Sequence, residues 1–268
     1  METLEAKHQK LKEQLAGTEK ALVAYSGGVD STFLLYAARQ ALGRERVLAV
    51  IARSPTYPED EIKSAVEVAD SLDAEYRVID TEEFSDENFI ANPKERCYYC
   101  KKELFSKLRT VARENGIADV LDGSNVDDLS DFRPGSCAKA EFSVRSPLQE
   151  AGLTKSDIRR LSKEADLPTW DKPAMACLAS RIPYGTRINE DVLKRVGEGE
   201  GFLKSLGFKQ LRVRHHAPIA RIEVDRDSVA KIMLPGMMEA IVKKFEELGY
   251  VYVTLDMKGY RAGSMNEG

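Results

Sequence analysis

The hydrophobic and polar residues of this chain follow two alternating patterns. Four short apolar runs are typical of buried strands, and they begin near Ala21, Val47, Glu75 and Asp119. Between the first three runs, apolar residues recur at every third or fourth position, which predicts helices. A chain that alternates strand and helix in this way favours a parallel sheet with right-handed crossovers. We therefore expect an α/β fold.

The pattern changes at Asn189. From there a helix, two β-like runs, a long helical stretch and a last β-like run predict a compact α+β unit. The preceding segment, Pro168–Tyr184, contains three prolines, so we expect it to be non-helical and to cross between the two halves. We predict two domains, a larger one over residues 1–186 that includes this crossing segment and a smaller α+β domain over residues 187–268.

A polar, glycine-containing loop separates the first strand from the first helix of the predicted sheet. It consists of Ser26, Gly27, Gly28, Val29, Asp30, Ser31 and Thr32. Consecutive glycines let the backbone turn tightly and approach an anion, and the helix that follows presents unpaired N–H groups to the same anion. The hydroxyl groups add further donors. The loop therefore predicts a site for nucleotide phosphates, and the plainer alternative is a polar turn without a ligand.

Asp30 is the unusual member of this loop, because a carboxylate beside phosphates is repelled unless a cation lies between them. It is interpreted as a Mg²⁺ partner or as a helix cap. A Walker-type loop requires Lys after the last glycine, and none follows Gly28. The loop instead resembles the PP-loop of ATP pyrophosphatases. That resemblance implies ATP and Mg²⁺ as cofactors, with adenylylation of a substrate and release of pyrophosphate.

Other loops are expected at the same edge of the sheet, because the carboxyl ends of parallel strands meet where ligands bind. Ala52 and Arg53 end the second strand and are candidates for the adenosine. Gly123 follows the fourth strand, and Arg133 lies in the polar loop beyond it. We expect all four residues to contribute to the nucleotide site.

Cysteines supply the second candidate chemistry. Cys97 and Cys100 are three residues apart and would face one side of a helix, while Cys177 lies in the crossing segment. Three thiolates with one open position suit a [4Fe-4S] cluster that binds sulfide. A zinc site would need a fourth ligand, Cys137 or His215. A dithiol redox pair and thiols without a role also remain open.

Composition narrows the class of protein. Forty basic and 44 acidic residues give a net charge of −4 and a pI near 5.6, which does not favour binding of long nucleic acid by bulk charge. With no long apolar run and no signal-like leader, we expect a cytoplasmic protein without membrane contact. In that reducing compartment cysteines indicate metal or redox chemistry before disulfides.

Arginines are prominent in the predicted α+β domain. Arg212 and Arg214 alternate with apolar residues along one β-like run, and Arg221 lies in the next. A solvated sheet face would show the same alternation. Guanidinium groups, however, are planar, fork-like donors that suit phosphate and carboxylate, so a binding face is the functional alternative.

Six further segments resemble the LarE family, the PP-loop sulfur transferases of nickel-pincer nucleotide biosynthesis, which makes the cofactor of lactate racemase. The segments are 97–102, 131–135, 176–185, 211–215, 253–256 and 259–261. The likeness covers nearly the whole chain. It implies that the carboxylates of pyridinium-3,5-biscarboxylic acid mononucleotide are adenylylated and then converted to thiocarboxylates.

The resemblance also implies roles for individual residues. Those expected at the reacting groups are Asp30, Cys177, Ser180 and Arg181. Those expected to bind the pyridinium mononucleotide are Arg212, Arg214, Glu223 and Arg261. One branch of the family sacrifices the sulfur of a single cysteine, whereas the other carries sulfide on a [4Fe-4S] cluster.

Cys97, Cys100 and Cys177 place this chain in the cluster branch, with sulfide as a partner and Cys137 as a bystander. By resemblance, the smaller domain assembles the chain into a homohexamer. The runner-up interpretation is a PP-loop tRNA thiolase that carries a cluster. A zinc-stapled nucleotide-binding module without turnover is the third.

Overall fold

The computed structural model describes residues 2–129, 135–173 and 176–261. The chain forms two compact units. The first comprises Met1–Phe89 and Lys94–Met175, and the second comprises Ile90–Pro93 and Ala176–Gly268. The second unit therefore begins before the predicted boundary at residue 186. Hydrogen bonds explain why Ile90–Pro93 belongs to it, because Gly185 N–H donates to the Asn92 carbonyl and Ile188 N–H donates to the Ile90 carbonyl.

The first unit contains the predicted parallel sheet. Its helices and strands, in chain order, are α1 Leu4–Ala16, β1 Ala21–Ala24, α2 Val29–Leu42, β2 Val47–Arg53, α3 Glu59–Ser71, β3 Glu75–Asp80, α4 Glu87–Ile90, α5 Arg96–Glu114, β4 Asp119–Leu121, α6 Gly135–Glu141, α7 Pro147–Glu150 and α8 Lys155–Glu164. The strand order is β3-β2-β1-β4, and every pairing is parallel. This confirms the α/β prediction.

The central strand β1 is apolar because helical layers cover both faces of the sheet. Ala21 and Val23 join a core that includes Phe33 of α2, whereas Leu22 joins a second core with Phe105 of α5. Alternate residues of a strand point to opposite faces, so this three-residue run supplies both layers. The carboxyl end of β1 consequently opens at the middle of one sheet edge, where the glycine loop begins.

The second unit is the predicted α+β domain. It contains α9 Glu190–Ser205, β5 Leu211–His216, β6 Ile219–Val224, α10 Val229–Ile232, α11 Pro235–Glu247 and β7 Tyr252–Leu255. The sheet order is β5-β6-β7, with β5 antiparallel and β7 parallel to β6. The helical stretch expected from Ser228 to Leu248, with an interruption at Pro235-Gly236, divides into α10 and α11 just before Pro235. Pro235 explains the division, since proline favours the first turn of a helix and disrupts its interior.

In the described ranges, no helix is a candidate for a membrane span. Each helix there is too short or too polar to cross a bilayer.

Candidate active site

The glycine loop makes its turn against α3. Gly27 has a φ of +69°, a conformation that side-chain-bearing residues rarely adopt. A Cβ placed at Gly27 would lie 2.7 Å from the Cβ of Ala65. Two features therefore require glycine at this position: the backbone conformation and the close packing of the loop on α3.

Two hydroxyl groups lie together at the loop. Ser26 Oγ and Ser31 Oγ are 3.0 Å apart, and Ser31 Oγ donates to the Gly28 carbonyl at 3.3 Å. Thr32 is instead fully buried, with its hydroxyl 3.4 Å from that of Tyr25. Burial raises the pKa of Tyr25 to about 12. Val29 is also buried and belongs to the core.

Gly123 brings the β4 edge onto the start of α2. A Cβ at Gly123 would lie 2.9 Å from the Ser31 backbone nitrogen. A Cβ atom does not come that close to a backbone nitrogen in folded proteins. Only glycine therefore lets this loop approach the N-terminus of α2. The sequence-based placement of Gly123 beside the glycine loop agrees with this geometry.

Asp30 lies in the first turn of α2 and pairs with a distant lysine. Lys155 Nζ donates to Asp30 Oδ2. Asp30 Oδ1 is buried and finds no hydrogen-bond donor among the described residues. Burial raises the pKa of Asp30, and the hydrogen bond and charge of Lys155 oppose that shift. A partly buried carboxylate with an unsatisfied oxygen has the donor chemistry that Mg²⁺ selects.

The alternative interpretation of Asp30 as a helix cap is wrong. The N-cap of α2 is Gly28, and no side chain caps this helix. The first-turn N–H groups are thus not satisfied by a capping side chain, which is the arrangement that suits an anion.

Two lysines that the sequence patterns did not single out border the loop. Lys155 reaches Asp30, and Lys172 Nζ donates to the Gly27 carbonyl at 3.1 Å and pairs with Glu61 at 2.8 Å. Each comes from a segment more than a hundred residues from the loop in the chain. The available signal was the capping box that opens α8, which locates the helix end where Lys155 lies.

The β2 edge carries one exposed ion pair and one buried polar cluster. Arg53 makes two hydrogen bonds to Asp80, of 2.6 and 2.9 Å, and both side chains are exposed. The next residue, Ser54, is buried and donates to the buried carboxylate of Glu83, whose other oxygen finds no donor within the described ranges. Ala52 is partly buried in the strand. Arg133 lies outside the described residues.

Cys97 and Cys100 lie in the first two turns of α5. Cys97 is exposed and Cys100 is partly exposed. Helix α6, which carries the exposed Cys137, packs beside them, because a Cβ at Gly135 would lie 3.4 Å from the Cys97 carbonyl oxygen. Tyr98 of α5 also donates to Glu141 of α6 at 2.9 Å. Cys137 is therefore a structural neighbour of the Cys-x-x-Cys turn.

In the described part of the chain, no group of three or more His, Cys, Asp and Glu side chains is placed so that it could hold a metal ion. Cys97, Cys100 and Cys137 belong to the first compact unit. Cys177 belongs to the second, where it is partly exposed.

In the second unit, Cys177 precedes a 3₁₀ turn, Leu178–Arg181, that Arg181 holds in place. The guanidinium of Arg181 donates to the Cys177 carbonyl at 3.1 Å and to Ser180 Oγ at 2.8 Å. It also makes two hydrogen bonds to Glu200 of α9, of 2.9 and 3.0 Å. Both charged side chains are buried, so this pair fixes the backbone around Cys177.

The arginine face of β5 is not a solvated face. Arg214 is 5% exposed and Glu223 is fully buried, and Arg214 Nη2 donates to Glu223 Oε2 at 2.9 Å. Arg214 Nη1 also donates to the Ser180 carbonyl at 3.2 Å. The turn after Cys177 thus contacts this face, which explains why the alternating pattern carries buried charges.

Arg212 lies on the same face, and Arg261 follows Tyr260 in the chain. The Arg212 guanidinium lies over the ring of Tyr260, 5.0 Å from its centre. Burial, and then the nearby charge of Arg181, lower the pKa of Arg212. Arg261 is partly buried and donates to the Gly259 carbonyl at 3.0 Å. Arg181, Arg212 and Arg214 are close enough for their charges to repel, and an anion would stabilise such a group.

Known proteins are similar to this chain over both compact units. A family model described as NAD synthase matches residues 3–115, the part that carries the glycine loop. The chain is 39% identical over 267 residues to the pyridinium-3,5-bisthiocarboxylic acid mononucleotide synthase of Lactiplantibacillus plantarum, covering 100% of this chain and 96% of that protein.

Two other relatives extend the comparison. An uncharacterized protein of Synechocystis sp. is 40% identical over 263 residues and 98% of each chain. The NH(3)-dependent NAD(+) synthetase of Methanopyrus kandleri is 47% identical, but over only 68 residues, 25% of this chain and 24% of that protein. The match to the NAD(+) synthetase is short, whereas the match to the mononucleotide synthase spans both units. The chain therefore belongs to the pyridinium-3,5-bisthiocarboxylic acid mononucleotide synthase (LarE) family of PP-loop ATP pyrophosphatases.

Proposed function

We propose that this protein is an ATP-dependent sulfur transferase that converts the carboxylates of pyridinium-3,5-biscarboxylic acid mononucleotide to thiocarboxylates. The observation that carries the proposal is the 39% identity to the mononucleotide synthase over the entire chain. A match confined to the glycine loop would support only ATP use. Because both compact units are covered, the identity supports the proposed substrate as well as the use of ATP.

Activation of the carboxylate is assigned to the first unit. A carboxylate is a poor acyl donor because its leaving group would be oxide, whereas an acyl-adenylate expels AMP. The N–H groups at Gly28 and the start of α2, with the hydroxyls of Ser26 and Ser31, would bind the phosphates of ATP. Asp30 would hold Mg²⁺, which neutralises charge on the departing pyrophosphate. Ala52, Arg53 and Gly123 would line the adenosine side, and Arg133 is retained as a candidate.

Substrate binding is assigned to the second unit. Arg212 and Arg214 carry positive charge on one face of β5, and Glu223 keeps Arg214 in place through their 2.9 Å contact. Together with Arg261 they would bind the phosphate and the carboxylates of the mononucleotide. The domain spanning residues 187–268 would also form a homohexamer. Its exposed apolar side chains support that assembly, and they include Met233, Leu234, Val251, Tyr252 and Met257.

Sulfur transfer is assigned to the segment around Cys177. Sulfide attacks the acyl carbon, a C–S bond forms, the C–O bond to AMP breaks, and a thiocarboxylate remains. Arg181 would keep the Cys177 turn and the Ser180 hydroxyl in position for this step, since its guanidinium contacts both. Correct placement of reacting groups supplies a large part of the rate of such reactions.

Cys97, Cys100 and Cys177 are the proposed ligands of a [4Fe-4S] cluster. The proposal is supported by the chemistry of the side chains, since all three are thiols and each is at least partly exposed to iron and sulfide. When bound, a cluster with three thiolate ligands leaves one iron open to exogenous sulfide. Cys137 would be dispensable.

The experiment is a reconstituted reaction. The protein is purified anaerobically, its iron and acid-labile sulfide are measured, and it is incubated with ATP, Mg²⁺, sulfide and the mononucleotide. The proposal predicts AMP, pyrophosphate and a product in which oxygen is replaced by sulfur, identified by mass. A colourless protein that releases no pyrophosphate with this substrate would overturn the proposal.

A further inference from the structure

Lys155 lies at a position where a positive charge is unfavourable. It is the first residue of α8, and a cation at a helix N-terminus is opposed by the helix dipole. The helix end itself is firmly built. Thr154 and Asp157 form a capping box, and the Lys155 N–H donates to Asp127 Oδ2 at 2.9 Å. Lys155 is therefore held at this spot by its neighbours, on an end of the helix that suits an anion.

The side chain of Lys155 extends from this helix end to the glycine loop. Its Nζ meets Asp30 Oδ2, and the two side chains are 31% and 22% exposed. The ion pair is thus open to solvent on one side, so another anion can replace Asp30 as the partner of Lys155. Lys172, the other lysine at the loop, pairs with Glu61, a carboxylate of α3 that does not belong to the loop.

Binding of a metal ion at Asp30 changes the partner that Lys155 can keep. Mg²⁺ and an ammonium group repel each other, and Mg²⁺ requires close, well-ordered oxygen ligands. Asp30 Oδ1 has no donor among the described residues, so this carboxylate oxygen has no hydrogen bond to give up when it binds a metal ion. Once the metal is bound, phosphate oxygens at the loop are anionic partners that Lys155 can take in place of Asp30.

We propose that Lys155 is a phosphate-binding residue of the ATP site, and that it exchanges Asp30 for the phosphates of ATP when a metal ion binds Asp30. Lys155 thereby supplies from α8 the lysine that Walker-type loops carry directly after their glycines and that this loop lacks. In the ligand-free protein it neutralises Asp30. This inference rests on the proposed use of ATP.

Direct binding measurements test the exchange. Mn²⁺ is titrated into the nucleotide-free protein and followed by electron paramagnetic resonance, and inorganic pyrophosphate is titrated separately by calorimetry with Mg²⁺ present. For Lys155→Met we expect Mn²⁺ to bind about fivefold more tightly, because its competitor for Asp30 is gone. We expect pyrophosphate to bind about tenfold more weakly, because one charge-assisted hydrogen bond is lost.

Matched variants separate this role from a structural one. Lys163→Met makes the same substitution at the other end of α8, where the ammonium group lies over Trp170, and both affinities should match wild type. Lys155→Arg keeps the charge and should keep pyrophosphate binding. If Lys155→Met does not fold, Lys155→Gln carries the same two expectations.

The inference and the proposed function fail in different ways. Wild-type protein that binds neither ATP nor pyrophosphate would contradict the use of ATP itself. Wild-type protein that binds both, with Lys155→Met unchanged in its Mn²⁺ and pyrophosphate affinities, would overturn the role of Lys155 alone.

Discussion

Arg181 and Glu200 form a two-pronged ion pair inside the second unit, with Nε and Nη2 of the arginine 2.9 and 3.0 Å from the two carboxylate oxygens. The same guanidinium binds the Cys177 carbonyl, and Glu200 also accepts the Val213 N–H of β5 at 3.0 Å. One buried pair therefore joins α9, β5 and the turn that follows Cys177.

Glu200→Ala should destabilise the protein strongly, because it leaves a buried guanidinium without its counter-charge. We expect a loss of about 3–5 kcal/mol in the free energy of unfolding, measured by urea denaturation. Glu164→Ala is the control, since Glu164 pairs with Arg160 on the exposed face of α8 and should cost less than about 1 kcal/mol. Equal effects of the two substitutions would contradict the assigned role of the buried pair.

Gly27→Ala should damage the glycine loop, because its φ is +69° and the new Cβ would lie 2.7 Å from Ala65 Cβ. We expect a loss of about 1–3 kcal/mol in the free energy of unfolding together with weaker ATP binding, measured by denaturation and calorimetry. Gly201→Ala lies in α9 with no atom within 4 Å of the new Cβ. This control substitution should be neutral or should stabilise the protein by about 0.5–1 kcal/mol. If Gly27→Ala behaved like Gly201→Ala, the loop would tolerate a side chain at Gly27 and the assigned role of this glycine would be wrong.

Asp30 should make stability and metal binding depend on pH in opposite ways. Its pKa in the folded protein is raised above 3.8, mainly by burial. The folded state therefore holds this proton more tightly than the unfolded state, and the contribution of Asp30 to stability falls as pH rises from about 3.8 through the raised pKa. Metal affinity rises over the same interval, because only the carboxylate binds the ion.

Asp30→Asn removes both dependences. We expect the difference in unfolding free energy between Asp30→Asn and wild type to shift in favour of the variant as pH increases above 4, with Mn²⁺ binding lost throughout. A constant difference across that range would mean that the pKa of Asp30 is not raised.

Arg212→Ala should weaken binding of the pyridinium mononucleotide more than binding of ATP, because Arg212 lies in the second unit while the glycine loop lies in the first. We expect about a tenfold loss for the mononucleotide, measured by calorimetry. Arg77→Ala removes an exposed arginine paired with Glu114 and serves as the control. Loss of ATP affinity with the mononucleotide affinity intact would reverse the assignment of the two ligands.

The parallel sheet and the glycine loop could be predicted from local patterns, because strand periodicity and a Ser-Gly-Gly turn are properties of neighbouring residues. Lys155 and Lys172 could not, since their roles depend on chain segments that meet only in the folded unit. The burial of Arg214 was missed for the same reason. Alternating charge on a strand is the same whether that face meets water or another segment, and here the Ser180 turn contacts it.

The source of the sulfur is the central claim, and intact-mass spectrometry of the protein after reaction with ATP, Mg²⁺, sulfide and the mononucleotide tests it most directly. Cys97→Ala and Cys100→Ala are run beside wild type. If a cluster held by Cys97, Cys100 and Cys177 carries the sulfide, wild type forms more than one thiocarboxylate per chain and keeps its mass, and both variants are inactive. A wild-type chain that forms one thiocarboxylate and becomes lighter by H₂S at Cys177, with both variants active, would contradict the cluster and identify Cys177 as a sacrificial sulfur donor.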